Sequence, residues 1–319
     1  MNEPARAGGA PSRWPLLLAL CAGALLPLAF APFNLWPLAI VSPALQMWLW
    51  SGVAPRRAAL LGYCYGAGTF IEGTWWLYIS IHGFGGAPVW LSVVLILLLV
   101  ALMASYQALL GWCVARYLPQ RGAWRWYAGL PAMWLLTEWL RGWLISGFPW
   151  LSLGYSQTDT ILAGYAPLLG VYGVSALLLV QSGALLAFLQ ARGRERFVAL
   201  TVVVLVWVGG AVLGRFEWTR AAAAPVAVAI VQGAIPQDEK WQVDNLEPTK
   251  ALYRQLNGQT AGARLVVWPE AAVPELANEI VPYLADIQGS SRARGADVLM
   301  GAVRLGDNGE DEYLSLIHI

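Results

Sequence analysis

Residues 88–115 read PVWLSVVLILLLVALMASYQALLGWCVA, 28 positions without a charged side chain. A helix rises about 1.5 Å per residue, so about 20 apolar residues cross the roughly 30 Å hydrocarbon core of a bilayer. This stretch exceeds that length, and it marks the front of the chain as an α-helical membrane domain. Six more segments meet or approach the same length: roughly 14–31, 34–50, 58–80, 124–144, 161–190 and 197–214. Segment 34–50 is short and broken by Pro37 and Pro43, so it reads either as a kinked span or as a re-entrant piece. Segment 14–31 follows Arg6 and Arg13 and ends in Ala29-Phe30-Ala31, which is also the make-up of a cleavable signal peptide. The apolar segments behind it favour an uncleaved first span, and seven spans are expected.

Composition agrees with this reading. Of 319 residues, 58% are hydrophobic and 12% charged, with a mean hydropathy of +0.55. An ordinary soluble domain is about 25% charged, so a fully wetted globule is excluded. Hydrophobicity excludes disorder, and three cysteines are too few for a disulfide scaffold. The net charge of +1 conceals two unlike parts. Residues 1–220 carry 13 basic and 6 acidic side chains, whereas 221–319 carry 7 and 13. The expected division is a membrane domain over 1–220 and an outer domain over 221–319.

Arginines alternate between the connections. Arg6, Arg13, Arg56, Arg57, Arg116, Arg121, Arg125, Arg192, Arg194 and Arg196 fall on one side, and Arg141 alone on the other. The positive-inside bias then makes the N-terminus cytoplasmic and puts everything after about residue 215 on the outer face, in a bacterium the periplasm. Inside the spans the main charges are Glu72, Glu138 and Arg141. Intramembrane ionisable groups mark functional paths by default, but Glu138 and Arg141, three apart on one helix face, can also simply neutralise each other. The chain has 18 tryptophans, many at span ends, as interfacial belts require. Cys21, Cys64 and Cys113 fall in or beside spans, where thiols are packing groups.

After Pro225 the texture changes. Pro225–Val231 (PVAVAIV) reads as a buried strand, and residues 248–261 as a helix with Leu252 and Leu256 four apart. Arg264–Trp268 (RLVVW) is a second strand, closed by Pro269. Residues 276–294 pattern as a helix with Leu276, Ile280, Leu284 and Ile287 on one face. Ala296–Arg304 is a third strand and 312–318 a fourth. This order opens a layered α/β domain. Chemistry concentrates at Glu270. It follows a buried strand directly, and the proline before it cannot extend the ladder. A carboxylate so placed is either catalytic or an ordinary cap or surface residue.

Trp268-Pro269-Glu270 after a hydrophobic strand resembles the corresponding stretch of the nitrilase/carbon–nitrogen hydrolase superfamily. Val231-Gln232-Gly233-Ala234-Ile235-Pro236-Gln237, running on to Lys240-Trp241, is similar to the opening of one membrane-embedded branch, the apolipoprotein N-acyltransferases. So are Glu138-Trp139-Leu140-Arg141-Gly142, Ser146-Gly147-Phe148-Pro149-Trp150 with Gly154-Tyr155, and Trp75 to Ile81 with Phe84-Gly85-Gly86. The resemblance covers nearly the whole chain. It implies a polytopic helical bundle followed by a nitrilase-like α-β-β-α sandwich, incomplete here because about 95 residues are too few for it. It implies residence in the bacterial inner membrane, a phospholipid as acyl donor and an apolipoprotein as acceptor. Glu270 becomes the general base of a Glu–Lys–Cys triad, with the Lys stabilising an oxyanion and the Cys carrying the acyl group. Trp241 matches a family tryptophan near the site, packing on acyl chain or headgroup; its alternative is a core residue.

This chain departs from the family pattern in one respect. Its only lysines, Lys240 and Lys250, and all three cysteines precede Glu270, whereas the family's Lys and Cys follow it. An eighth span is also expected after the catalytic domain. Leu314–Ile319 (LSLIHI) resembles the translation of a sequencing-library transposon adapter, so native sequence is expected to stop near Tyr313, and the 319-residue polypeptide to be inactive. A membrane-anchored amidase or nitrilase would share Glu270. A transporter would use Glu72 and Glu138 in a polar path. No metal or nucleotide motif is visible, since His82 and His318 cannot make a ligand cluster and no Gly-rich loop follows a strand. No cofactor, no nucleic acid and a monomeric protein are expected.

Overall fold

The computed structural model describes residues 13–120, 122–190, 192–305 and 312–318. Arg6, Arg121 and Ile319, named above, lie outside the described residues. The chain divides into two compact units, one ending at Thr219 and one beginning at Arg220.

The first unit is helical: α1 (Trp14–Leu25), α2 (Leu38–Leu49), α3 (Pro55–Gly73), α4 (Val89–Tyr117), α5 (Leu130–Arg141), α6 (Ala166–Gln190) and α7 (Arg194–Leu213). Each expected apolar segment contains one of them. Among the described residues three helices are long and apolar enough to cross a membrane: Val89–Tyr117, Ile161–Gln190 and Arg194–Leu213. Trp14–Ala29 and Leu38–Leu49 are shorter apolar helices.

Several helices differ from their pattern. At 12 residues, α2 reaches only about 18 Å at 1.5 Å per residue, with Pro37 as its N-cap and Pro43 inside it. The third segment was expected helical to residue 80, but α3 stops at Gly73 and a wide π-type turn follows over Ile79–Phe84. Another π-type turn, Arg125–Gly129, leads into α5. The sixth segment is broken at Gly170, whose φ of 63° is open to glycine and strained for other residues.

This unit is apolar on its outside as well as in its core. Leu97, Leu98, Leu205 and Phe197 face outward, while alanine, glycine and serine share the inside with leucine, Trp50 and Trp134. Close approach of small residues holds membrane helices together where no hydrophobic drive between them exists. Gly62 and Gly66 let α3 meet α4 at Ala104 and Gln107, and Gly23 of α1 lies against the Tyr65 backbone. Hydroxyls bridge the same contacts. Ser42 Oγ donates to the Ala22 carbonyl (2.7 Å) and meets Tyr65 Oη (2.8 Å), and Thr69 Oγ1 donates to the Gly23 carbonyl (3.2 Å). Trp50 (tilted) and Tyr65 (edge-on) both pack against Trp134, with ring centroids 6.1 and 5.8 Å away.

The second unit holds a sheet of order β1-β2-β3-β4, made of β1 (Val228–Ile230), β2 (Leu265–Val267), β3 (Asp297–Leu305) and β4 (Glu312–His318). The first three strands are parallel, with Val228 opposite Leu265 and Leu265 opposite Asp297. β4 runs antiparallel to β3, Leu299 opposite His318. Helices α8 (Gln237–Lys240) and α9 (Leu246–Gly258) separate β1 from β2, and α10 (Val281–Arg292) separates β2 from β3. Val266, Val298, Met300, Ile287, Tyr253 and Trp268 are buried together as its core. The helix expected from residue 276 starts five residues later. Leu276 instead pairs with Val303 as an extra rung, the Ala277 N–H donates to the Val303 carbonyl (2.8 Å), and Pro282 opens the helix proper.

Candidate active site

At the end of β2 the chain makes one further sheet bond, from the Trp268 N–H to the Leu299 carbonyl (2.9 Å). Pro269 has no N–H to continue, so the backbone leaves the sheet there. Ala271 then takes a φ of 45°, a left-handed turn that costs a non-glycine residue energy and holds only where the surroundings enforce it. One enforcing contact is Gly301 of β3: a Cβ there would come within 2.9 Å of the Glu270 Cα. Trp268 is buried below the turn and stacked on Tyr253 at 4.9 Å. Burial pushes the Tyr253 phenol up, partly offset by its bond to the Gly233 N–H. Glu270 itself is exposed, and its carboxylate makes no hydrogen bond or ion pair among the described residues.

The segment after β1 is drawn to the same turn. The Gly233 N–H donates to Tyr253 Oη (3.3 Å), and Lys240 Nζ donates to the main-chain carbonyl of Glu270 (3.2 Å). The structure therefore brings α8 and its C-cap Trp241 to the strand end that carries Glu270. Trp241 is 55% exposed. Sequence reasoning passed over Lys240 because it precedes Glu270; only the fold makes it a neighbour. It also passed over Gly301, although an isolated glycine inside a strand pattern signals a close backbone approach.

The ionisable groups of the first unit are arranged otherwise. Glu138 and Arg141 are 3% and 5% exposed, and neither bridges the other. Glu138 Oε1 accepts from the Leu153 N–H (3.1 Å). Arg141 donates to the carbonyls of Phe148 (2.7 Å) and Trp150 and to Ser152 Oγ (3.4 Å). Both side chains thus hold the 148–153 loop, while their opposite charges offset each other without a direct ion pair. Glu72 is exposed at the end of α3, and Cys21, Cys64 and Cys113 are unbridged thiols on α1, α3 and α4. Among the described residues no three His, Cys, Asp or Glu side chains gather as a metal site requires.

The family model for the apolipoprotein N-acyltransferase N-terminal domain matches residues 22–185. The chain belongs to the apolipoprotein N-acyltransferase family. Relatives carrying that name include a Methylococcus capsulatus protein, 41% identical over 305 residues, which are 95% of this chain and 60% of the relative. An Azotobacter vinelandii relative is 44% identical over 308 residues (94% and 60%), and one from Vibrio cholerae is 37% identical over 293 (92% and 57%). The chain thus spans about 60% of the length of the curated relatives it matches. These alignments extend past the family-model match and take in most of the second unit, where the Glu270 turn lies.

Proposed function

We propose that this chain is part of an enzyme that moves an acyl chain from a phospholipid to the α-amino group of an N-terminal diacylglyceryl-cysteine in a bacterial lipoprotein. The observation that carries the reading is the enforced turn at Pro269–Ala271. It exposes one carboxylate, free of structural bonds, at the end of a buried parallel strand in a chain of this family. The second unit is then the first part of a nitrilase-like sandwich on the periplasmic side of the inner membrane, and the first unit its seven-span anchor.

In the proposed cycle a cysteine thiol gives its proton to the Glu270 carboxylate as its sulfur attacks the phospholipid ester carbonyl. A lysine ammonium stabilises the tetrahedral oxyanion. The C–O bond breaks, Glu270 returns the proton to the lysophospholipid alkoxide, and a thioester remains. The lipoprotein amine then attacks the thioester, the thiolate leaves, and the amine proton passes through Glu270 back to sulfur. Lys240 holds the Glu270 backbone and so positions the base, while Trp241 is available for acyl chain or headgroup.

The family resemblance implies a cysteine and an oxyanion lysine that follow Glu270, whereas every cysteine and lysine here precedes it. Sequencing the source DNA across the Tyr313 codon, then assaying the extended frame with a labelled phospholipid and a synthetic diacylglyceryl peptide, tests the reading. Label on the peptide amine supports it. Release of free fatty acid with no peptide product replaces it with a hydrolase.

A further inference from the structure

A cavity of about 860 Å³ lies in the first unit where the connections α2–α3, α4–α5 and α6–α7 meet. Small-molecule sites occupy about 300–1,000 Å³. Its chemistry comes from Gln120, Trp126, Tyr127, Gln190, Arg194 and Glu195. Arg125 fixes one wall: it donates to the carbonyls of Pro119 (3.1 Å) and Trp50 (3.3 Å) and lies 5.4 Å from the Trp126 ring. Gln120 Oε1 accepts from the Gly52 N–H (3.1 Å), which joins two of the connections.

Two groups in this wall have chemistry left over. Arg194 and Glu195 are exposed, and neither forms an ion pair among the described residues. Consecutive residues on a helix do not face each other, so the two charges stay apart and open to the cavity. Beside them the surface turns apolar, with Leu189 and Phe197 strongly exposed and Val198 both exposed and lining the cavity. α7, which carries Arg194, is itself one of the helices apolar enough to cross a membrane.

A cation and an anion lining one cavity, next to exposed aliphatic and aromatic surface, match an amphiphile whose head bears both signs. We propose that this cavity binds the headgroup of a zwitterionic glycerophospholipid. The phosphate lies toward Arg194, the ammonium toward Glu195, and the acyl chains along Leu189, Phe197 and Val198. The site belongs to the arginine-rich end of the first unit and is independent of acyl transfer.

Native mass spectrometry of the full 319-residue chain in detergent micelles tests it, with phosphatidylethanolamine, phosphatidylcholine and phosphatidylglycerol as probes. The two zwitterionic lipids are expected to remain bound over phosphatidylglycerol. Arg194→Gln should weaken their binding by about tenfold, the scale of one lost charge-assisted bond. Glu195→Gln should shift preference toward phosphatidylglycerol. Both charged positions are exposed, so these variants keep their fold. Unchanged occupancy in both charge variants, or a wild-type preference for phosphatidylglycerol, overturns the proposal. Equal competition by water-soluble glycerophosphoethanolamine overturns the lipid assignment in favour of a free headgroup.

Discussion

Glu138 and Glu270 are the same residue in opposite circumstances. Glu138 is buried on α5, bonded to the Leu153 N–H, and shares with Arg141 the work of holding an irregular loop inside the helical unit. Glu270 stands exposed at a strand end, its backbone gripped by Lys240 and Gly301 while its carboxylate remains unbonded. Glu138 is committed to the loop backbone through Oε1, while its Oε2 is buried without a hydrogen-bond partner among the described residues. A reacting carboxylate needs a fixed backbone and a free head, and the parallel sheet supplies both.

Substitution can break this contrast. The largest effect is expected from Glu270→Gln in the extended reading frame. Acyl transfer should fall by about 10²–10⁴-fold, as for a lost general base, while the melting temperature stays near wild type. A variant that unfolds, or that keeps its activity, would erase the distinction between the two carboxylates. Arg141→Met should do the opposite. It leaves Glu138 buried with an uncompensated charge and frees the Phe148 and Trp150 carbonyls, at a cost of about 3–5 kcal/mol. Loss of detergent-solubilised, monodisperse protein is the readout.

A smaller effect is expected at Gly301→Ala. The added methyl meets the Glu270 backbone, so the second unit should lose about 1–3 kcal/mol, with acyl transfer in the extended frame falling alongside. Unchanged stability and rate would show that the turn does not lean on β3. The smallest effect is a pH dependence. Burial pushes the Tyr253 and Tyr283 phenols up, so the folded unit keeps protons that the unfolded chain releases near pH 10. Stability is therefore full below about pH 10 and declines above it. Unfolding midpoints of the second unit followed by tryptophan fluorescence at about pH 9 and about pH 11 check the sign.

Much of this was readable along the chain. Each apolar segment contains a helix, because an 18-residue apolar run has few other ways to satisfy its backbone. The strands at 228–230, 265–267, 297–305 and 312–318 fall within or close to the β-branched runs, and Pro269 placed the exit before Glu270 correctly. The misreadings have a common cause. Residues 276–280 carry helical spacing, yet Leu276 completes a rung beside Val303, and a partner 27 positions away is invisible to periodicity. The direct ion pair that the spacing of Glu138 and Arg141 invites is also absent, because groups of the 148–153 loop take their hydrogen bonds, although the two charges still offset each other.

Local chemistry alone therefore determined the division into an apolar basic front and a mixed acidic back, the positions of the helices and strands, and the candidate carboxylate. These depend on hydrophobic period and on proline's missing N–H, both properties of adjacent residues. Tertiary structure alone decided that Lys240 would grip Glu270, that Gly301 would back it, that Trp241 would stay half-exposed, and that Arg194 and Glu195 would share a cavity with Tyr127. Those relations join residues up to 68 positions apart (Tyr127 to Glu195), and such pairings exist only once the packing between elements has chosen which surfaces meet.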